Sequence, residues 1–327
     1  MRDGNQTPGT DAFGECRGSL IFTPASAVGH SCGRFASTMH VIRLGRPAPA
    51  VREYVRLYAH REVRIRGDAV THTVPARGFP LLEFVFGDQF QQVSLSQSLV
   101  QTSPRTVVVG VQTHCRSRLR FQGAVECFVI LFQPTGWHRL FPVPVHEITD
   151  RAYEAHSLLG SWVSRLERLL GDASDFRERV RIADEFLLPY STGARPYDRI
   201  SAAASQILHA SGNARISELA REAGLSVRQF ERCFLQQVGV HPKLYARIIR
   251  FEAALDSKAR SGTKSWTEVV HEFGYYDQMH MVHDFEDFTG GAPTDVLKEV
   301  ETLFRGQIDA IRSGRRTSVQ DGLELIV

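Results

Sequence analysis

Arg228, Glu231 and Arg232 fall within one helical turn and a half of each other, beside an apolar set of matching period. Phe230, Cys233 and Phe234 follow the i, i+3, i+4 spacing of a buried face, which turns Arg228, Glu231 and Arg232 outward. A guanidinium matches guanine O6 and N7 with two parallel hydrogen bonds, and a carboxylate accepts from the cytosine N4 amino group. This face therefore has the chemistry to read base edges, while Gln229 is placed to cap its own helix. A comparable outer set follows later: Gln278, Met279, His280 and His283, with Glu286 farther along, beside inward Met281 and Phe285. Between the two sets, Lys243, Arg247 and Arg250 share one side of a third helix. That side is either a row of phosphate contacts or a solvated basic stripe.

The elements that position these residues occur twice. Phe234, Gly239 and Pro242 reappear 51 residues later as Phe285, Gly290 and Pro293. Upstream the offset is 50, pairing Gly224 with Gly274 and Leu219–Ala220 with Val269–Val270, so one residue is inserted near Tyr275–Asp277. Each copy is a short amphipathic helix, a glycine turn, a second helix ending in glycine, and a proline-opened helix. That is the layout of a helix-turn-helix, whose second helix is shaped for the DNA major groove. Ile216, Leu219 and Ala220 mark the first inward face; Trp266, Val269, Val270 and Phe273 mark its counterpart. Ser226 with Gln229 and Ser265 with Glu268 form capping boxes, and Asp277 caps the later recognition helix. The helix from Pro242 to about Arg260 is roughly 28 Å long at 1.5 Å per residue. Its core-facing stripe is Leu244, Ile248, Phe251 and Leu255. Two recognition helices joined by it can reach major grooves one turn (~34 Å) apart on one face of a duplex.

Charge separates the copies. Residues 213–264 hold ten basic and five acidic residues, whereas 265–300 hold one basic and eight acidic. The first copy suits a polyanion. The second either reads bases weakly, rides on the backbone or faces a protein partner, since neutral histidine offers little attraction to phosphate.

Within the 327 residues no apolar run of about 18 residues is present to span a membrane. Early Asp3, Asp11 and Glu15 argue against a secretory signal, and five cysteines without a C-x-x-C pair argue against a disulfide framework. A cytoplasmic location is expected. An enzyme needs a reactive constellation, and none is found. His280 and His283 lie at i, i+3 with His271 nearby but lack a Cys or third ligand at helpful spacing, and His72 and His114 stand alone. Cys127 belongs to a buried strand pattern; Cys115, between His114 and Arg116, is the better candidate for a reactive thiol. No catalytic residue, metal site or cofactor is assigned.

The fold class expected is α+β: a β-rich N-terminal domain followed by an all-α domain with two helix-turn-helix units. Residues 1–38, rich in Gly, Ser, Thr and Pro, are read as disordered, or as an extension preceding a start at Met39. Val51–Val63 is a mixed helix-or-strand segment. Strands are expected at Leu81–Phe86, Phe90–Leu95, Thr106–Thr113, Ser117–Phe121 and Val125–Phe132, the last buried on both faces. A helix at about Tyr153–Leu170 and another at about Ser174–Leu188 follow; they either close the β-domain or form a dimer seam. The domains are then 39–188 and 197–300, with a linker at 189–196 and a tail at 301–327. Glu83, Gln112, His114 and Glu126 lie in or beside the β-runs. They either orient a ligand at the mouth of the β-domain or simply face outward.

Taken as a set, Gly224–Leu225–Ser226, Gly274–Tyr275–Tyr276–Asp277–Gln278, the Gly239-x-x-Pro242 and Gly290-x-x-Pro293 closures and Arg247-x-x-Arg250 resemble the AraC/XylS family of bacterial transcription regulators. The resemblance covers Ile216 to about Leu297. Where the family usually has arginine and a basic residue, this chain has His283 and Glu286. The β-rich half resembles the cupin-like sensor or dimerisation domain that often precedes this unit. The resemblance implies a sequence-specific regulator that binds double-stranded promoter DNA, contacts RNA polymerase and often responds to a small-molecule effector, with a homodimer among its possible states. The alternative is a ligand- or protein-interaction module whose helical domain has lost specific DNA binding.

Overall fold

The computed structural model describes residues 37–96, 99–303, 319–320 and 323–326. Residues 1–36, expected to be disordered or to precede a start at Met39, and most of the 301–327 tail lie outside the described residues. The first half supplies β1 (Ser37–Gly45), β2 (Val55–Thr73), β3 (Leu81–Gly87), β4 (Gln91–Ser94), β5 (Val100–Thr102), β6 (Thr106–Val109) and β7 (Ser117–Phe132). Then come α1 (Gly136–Leu140), α2 (Val145–Ile148), β8 (Ala152–Glu154), α3 (Ala155–Leu159), α4 (Trp162–Asp172) and α5 (Phe176–Thr192). The helical part comprises α6 (Arg199–His209), α7 (Ile216–Glu222), α8 (Val227–Val238), α9 (Pro242–Arg260), α10 (Trp266–Glu272), α11 (Gln278–Thr289) and α12 (Pro293–Leu303). Short β9 (Val319–Gln320) and β10 (Leu323–Ile326) follow. The chain is thus a β-rich domain followed by an all-α one.

The strands pair antiparallel in the order β8-β6-β3-β7-β2-β1-β10-β9, with β4 and β5 branching from β7. Three expectations need correction. The ambiguous Val51–Val63 segment is mostly the long strand β2; its interleaved Arg61, Glu62, Arg64 and Arg66 mask the period-2 pattern. Ser117–Phe121 and Val125–Phe132 are one strand, β7, which bends at Gly123 (φ 75°) opposite a register shift between Ile65 and Val70 of β2. The helix expected at 153–170 is interrupted: β8 occupies its start, and Gly160 at φ 75° separates α3 from α4. In addition α5 continues past exposed Pro189 to Thr192 instead of ending before it. The end of β7 is buried on both faces, as its all-apolar run requires: Phe128, Ile130 and Phe132 lie beneath the helices, while Cys127 joins Val63, Val85 and Phe121 on the other side. Burial pushes the Cys127 thiol up to about 12, so it packs as a small apolar group.

The repeat is written into the backbone. Gly224 and Gly274 have φ of 64° and 65°, and the helix-ending Gly239 and Gly290 have φ of 95° and 75°. Both capping boxes form, and the Asp277 carboxylate accepts from the His280 amide at 2.7 Å. Phe230, Phe234, Met281 and Phe285 are fully buried against α9 and its neighbours, so the outward faces of α8 and α11 are set by what their inward faces bury.

A continuous apolar core joins the two halves, and polar contacts fix the joint. The Thr149 hydroxyl donates to the Gly239 carbonyl at 2.8 Å, the Ala76 amide to the Phe288 carbonyl at 2.8 Å, and the Gly78 amide to Glu252 of α9 at 3.0 Å. The β-domain therefore touches the first helix-turn-helix, the second and the helix between them. Gly239 and Gly290 occupy the same place in the repeat but not the same surroundings. A Cβ on Gly239 falls 2.7 Å from Thr149 Oγ1 and 2.8 Å from Val145, whereas one on Gly290 meets nothing within 4 Å. Gly290→Ala is expected to cost about 1 kcal/mol for the left-handed backbone alone. Gly239→Ala is expected to cost about 2–3 kcal/mol, because overpacking adds to the same strain. Urea unfolding midpoints check the difference; equal shifts would mean that the β-domain does not rest on α8.

Candidate nucleic-acid interface and neighbouring cavity

The first recognition helix presents Arg228 and Arg232 exposed, with Glu231 half-buried between them. Neither arginine is held in an ion pair among the described residues. Gln229 is used in the cap, its carbonyl accepting from the Ser226 amide at 3.2 Å. Lys243, at the start of α9, is also exposed. A guanidinium that is exposed and unpaired meets DNA without first breaking a protein contact.

The other two basic residues of the α9 stripe are differently engaged. Arg247 reaches across to α11, donating from Nε and Nη2 to Asp284 Oδ1 at 2.9 and 2.7 Å and from Nη2 to Asp287 at 2.7 Å. Arg250 donates to the Gly212 carbonyl at 3.2 Å and lies 5.4 Å from the centre of the Tyr275 ring. Both therefore brace the helical domain, a use that spacing alone cannot separate from a phosphate-facing stripe.

On α11, Gln278, Met279 and His283 are exposed and His280 is half-buried. His283 lies 3.7 Å from Glu286, and His280 stacks edge-on to Tyr275 at 5.4 Å. Tyr276, passed over as a surface candidate, is 91% exposed at the mouth of this helix, and Met279 is 59% exposed. The doubled tyrosine was legible in the sequence, but which ring turns inward follows only from the bend before Asp277. In structural register Arg228 and Arg232 correspond to Met279 and His283, so the second unit replaces two cations with an apolar group and an imidazole. Among the described residues no group of three or more His, Cys, Asp or Glu is arranged to hold a metal ion.

The β-domain contains a cavity of about 460 Å³. Its polar lining includes Glu83, Gln112, Arg77, Gln92 and Arg116, and its walls are apolar, among them Phe90 and Leu119. Of the four ligand candidates, Glu83 and Gln112 meet here. His114 lies in an adjoining hollow, its ring held by Thr113 at 2.8 Å and Arg116 at 2.7 Å. Glu126 is elsewhere: it pairs with Arg179 of α5 and with His60 at 3.0 Å, fastening α5 to the sheet. Burial, with Arg179 adding to it, lowers the His60 pKa. Arg77 was not legible from the sequence: it sits between Pro75 and Pro80, in a stretch that no apolar periodicity marks.

Arg77 is next to the interdomain contact made by Gly78. Glu252, half-buried on α9, accepts from the Gly78 amide, and desolvation pushes its carboxyl up to about 7 against the pull of that hydrogen bond, Arg56 and Arg77. A carboxyl raised from 4.5 keeps its proton in the folded chain after the unfolded chain has lost it. Its contribution is complete below pH 4.5 and declines as pH rises to about 7, by at most about 1.4 kcal/mol per pH unit. Glu252→Gln is expected to flatten the stability–pH curve between those limits; an unchanged slope in urea titrations would show that another group carries it.

Residues 219–299 match the family model described as a helix-turn-helix domain, and residues 45–154 match a domain of unknown function, DUF6597. With the repeated geometry above, this makes the C-terminal unit a helix-turn-helix domain, preceded by a β-rich domain. Among solved structures, the chain is similar to ToxT from Vibrio cholerae O395, with 8% identity and a TM-score of 0.42 over 81% of this chain and 98% of that one. It is also similar to unsaturated fatty acid bound ToxT from Vibrio cholerae strain SCE256, at 9% identity and TM-score 0.42 over 82% and 98% of the two chains. The AraC-like transcriptional activator CuxR matches at 13% identity and TM-score 0.26, over 60% and 76%. No curated protein shows significant sequence similarity to the chain. Among the described residues no helix is long and apolar enough to cross a membrane.

Proposed function

We propose that the protein is a sequence-specific regulator of transcription that binds double-stranded promoter DNA and responds to a small molecule. The observation that carries this reading is the exposed, unpaired Arg228–Arg232 pair on the outer face of α8, within a helix-turn-helix that is repeated with a side-chain cap on each recognition helix and left-handed glycines at matching places. In this reading α8 is the principal base reader. Lys243 adds a phosphate contact, and α11 lies against the neighbouring groove with fewer charges to offer. The effector occupies the cavity bearing Glu83 and Gln112. A second reading, in which the later unit docks a protein, is favoured by exposed Tyr276 and Met279 beside Glu286 and Asp287. In a promoter complex that protein would be RNA polymerase. A dimer seam along α4 and α5, where Leu169 and Leu188 are exposed, is compatible with either reading.

The deciding experiment is selection of bound duplexes from a random pool with purified protein, then a salt titration on the winner. One enriched motif with a steep log–log salt dependence is expected, since neutralised phosphates release counterions. Two blocks about one helical turn apart would mean that both units read DNA. A single block would leave α8 as the reader, and no enrichment at low salt would move the function to ligand or protein docking.

A further inference from the structure

We propose that the second recognition helix reads thymine: Met279, with Tyr276 beside it, packs on the 5-methyl groups of T·A pairs in the groove next to the one read by Arg228 and Arg232. The inference rests on the reading of the chain as a DNA-binding regulator and names the bases that its second unit recognises.

Among the described residues Tyr276 and Met279 are the most exposed large apolar side chains, at 91% and 59%. They stand three residues apart at the opening of α11, on either side of its Asp277 cap. The neighbouring ring is spent inside: Tyr275 is buried, with the Arg250 guanidinium over it. In the repeat Met279 takes the place of Arg228, each being the second residue of its helix after a side-chain cap. The first turn of a recognition helix is the part that meets base edges. Both side chains are long and unbranched, so they carry different chemistry to a similar depth. A guanidinium donates to guanine O6 and N7. A thioether has no donor, and its apolar partner on a major-groove edge is the methyl group of thymine.

The acidic residues of this unit leave that end of the helix clear. Asp277 accepts from the His280 amide at 2.7 Å, and Glu268 closes the capping box with Ser265. Glu272 holds Lys264 at 2.5 Å, and Asp284 and Asp287 each hold Arg247 at 2.7 Å. Glu286, 3.7 Å from His283, lies seven residues beyond Met279, about 10 Å farther along the helix at 1.5 Å per residue. The base-facing end of α11 therefore presents Tyr276, Gln278 and Met279 with no uncommitted charge among them. That surface matches a methyl-bearing base edge. A protein drawn by the acidic charge would dock at the far end of the helix, on Glu286.

The test runs selection on the full chain with two random duplex pools, one synthesised with thymidine and one with deoxyuridine, which lacks only the 5-methyl group. From the thymidine pool the expected winner has two blocks about one helical turn apart, guanine in the first and T·A pairs in the second. From the deoxyuridine pool the first block should persist and the second should lose its preference. On the winning duplex, deoxyuridine at a second-block thymine should weaken binding about fourfold, the scale of one methyl group withdrawn from an apolar contact. Met279→Ala should abolish that sensitivity and Met279→Leu should keep it. Arg232→Ala should lower overall affinity and leave the sensitivity in place. Identical blocks from both pools, or a full response to deoxyuridine in Met279→Ala, overturn the thymine reading and leave DNA binding standing. A single block from the thymidine pool overturns it as well, and gives the Tyr276–Met279 surface to a protein partner. No enrichment from either pool, with folded protein, removes the DNA-binding reading itself and this inference with it.

Discussion

Replacing Arg228 and Arg232 together with alanine should abolish most sequence discrimination and weaken specific DNA binding by about 2–5 kcal/mol. The magnitude follows from about 1–3 kcal/mol for each bidentate arginine–guanine contact. Both side chains are exposed and neither is tied to a protein carboxylate among the described residues, so their loss subtracts contacts from the complex and little from the fold. The effect should fall on specific rather than nonspecific affinity, measured by competition between the selected duplex and a scrambled one. His283→Ala and Gln278→Ala should each cost less than about 1 kcal/mol, because on this acidic helix Met279 and His283 stand where α8 has Arg228 and Arg232, and Gln278 brings no charge. If His283→Ala costs as much as Arg232→Ala, the two units share the reading equally and the asymmetric interface proposed above is wrong.

Arg247→Met should destabilise the folded chain by about 3 kcal/mol without abolishing base preference. Asp284 is 1% exposed and its Oδ1 accepts twice from Arg247, while Oδ2 is enclosed without a donor. Removing the guanidinium strands a buried carboxylate, and breaking a buried pair from one side costs about 3–5 kcal/mol. The low end applies because Arg247 is itself a third exposed and water can partly replace it. Asp284→Asn combined with Arg247→Met should recover much of the loss in urea unfolding, since the stranded charge is then gone. A phosphate contact predicts the opposite ranking: stability nearly unchanged, and a DNA salt dependence shallower by about one unit.

Two arginines that look alike in the sequence, Arg232 and Arg247, show where legibility stops. Arg232 and Arg247 both stand opposite apolar helix faces, and periodicity turns both outward. It does not say whether a carboxylate from another element waits there. Asp284 does so for Arg247, 37 residues away, and only the crossing of α9 and α11 brings them together. Glu126 illustrates the same limit: its place beside an apolar run suggested a ligand group, and the packing of α5 gives it Arg179 instead. Strand β2 was obscured for a related reason. Arg61 is buried between Glu83 and the Phe121 ring, so a charge on the inner face broke an alternation that the fold nonetheless respects.

What the sequence determined by itself was local and periodic. It set the duplicated helix-turn-helix, its caps, its left-handed glycines, its inward aromatics and the opposed charge of its two copies. Each follows from contacts within a few residues or from a repeated spacing, and that information is carried along the chain. The tertiary structure alone decided which outward charges remain free, that a loop between two prolines lines a cavity, and that the next amide binds a half-buried carboxyl on α9. Those depend on distant segments meeting in a medium where an unpaired charge is costly, and no local pattern records that meeting.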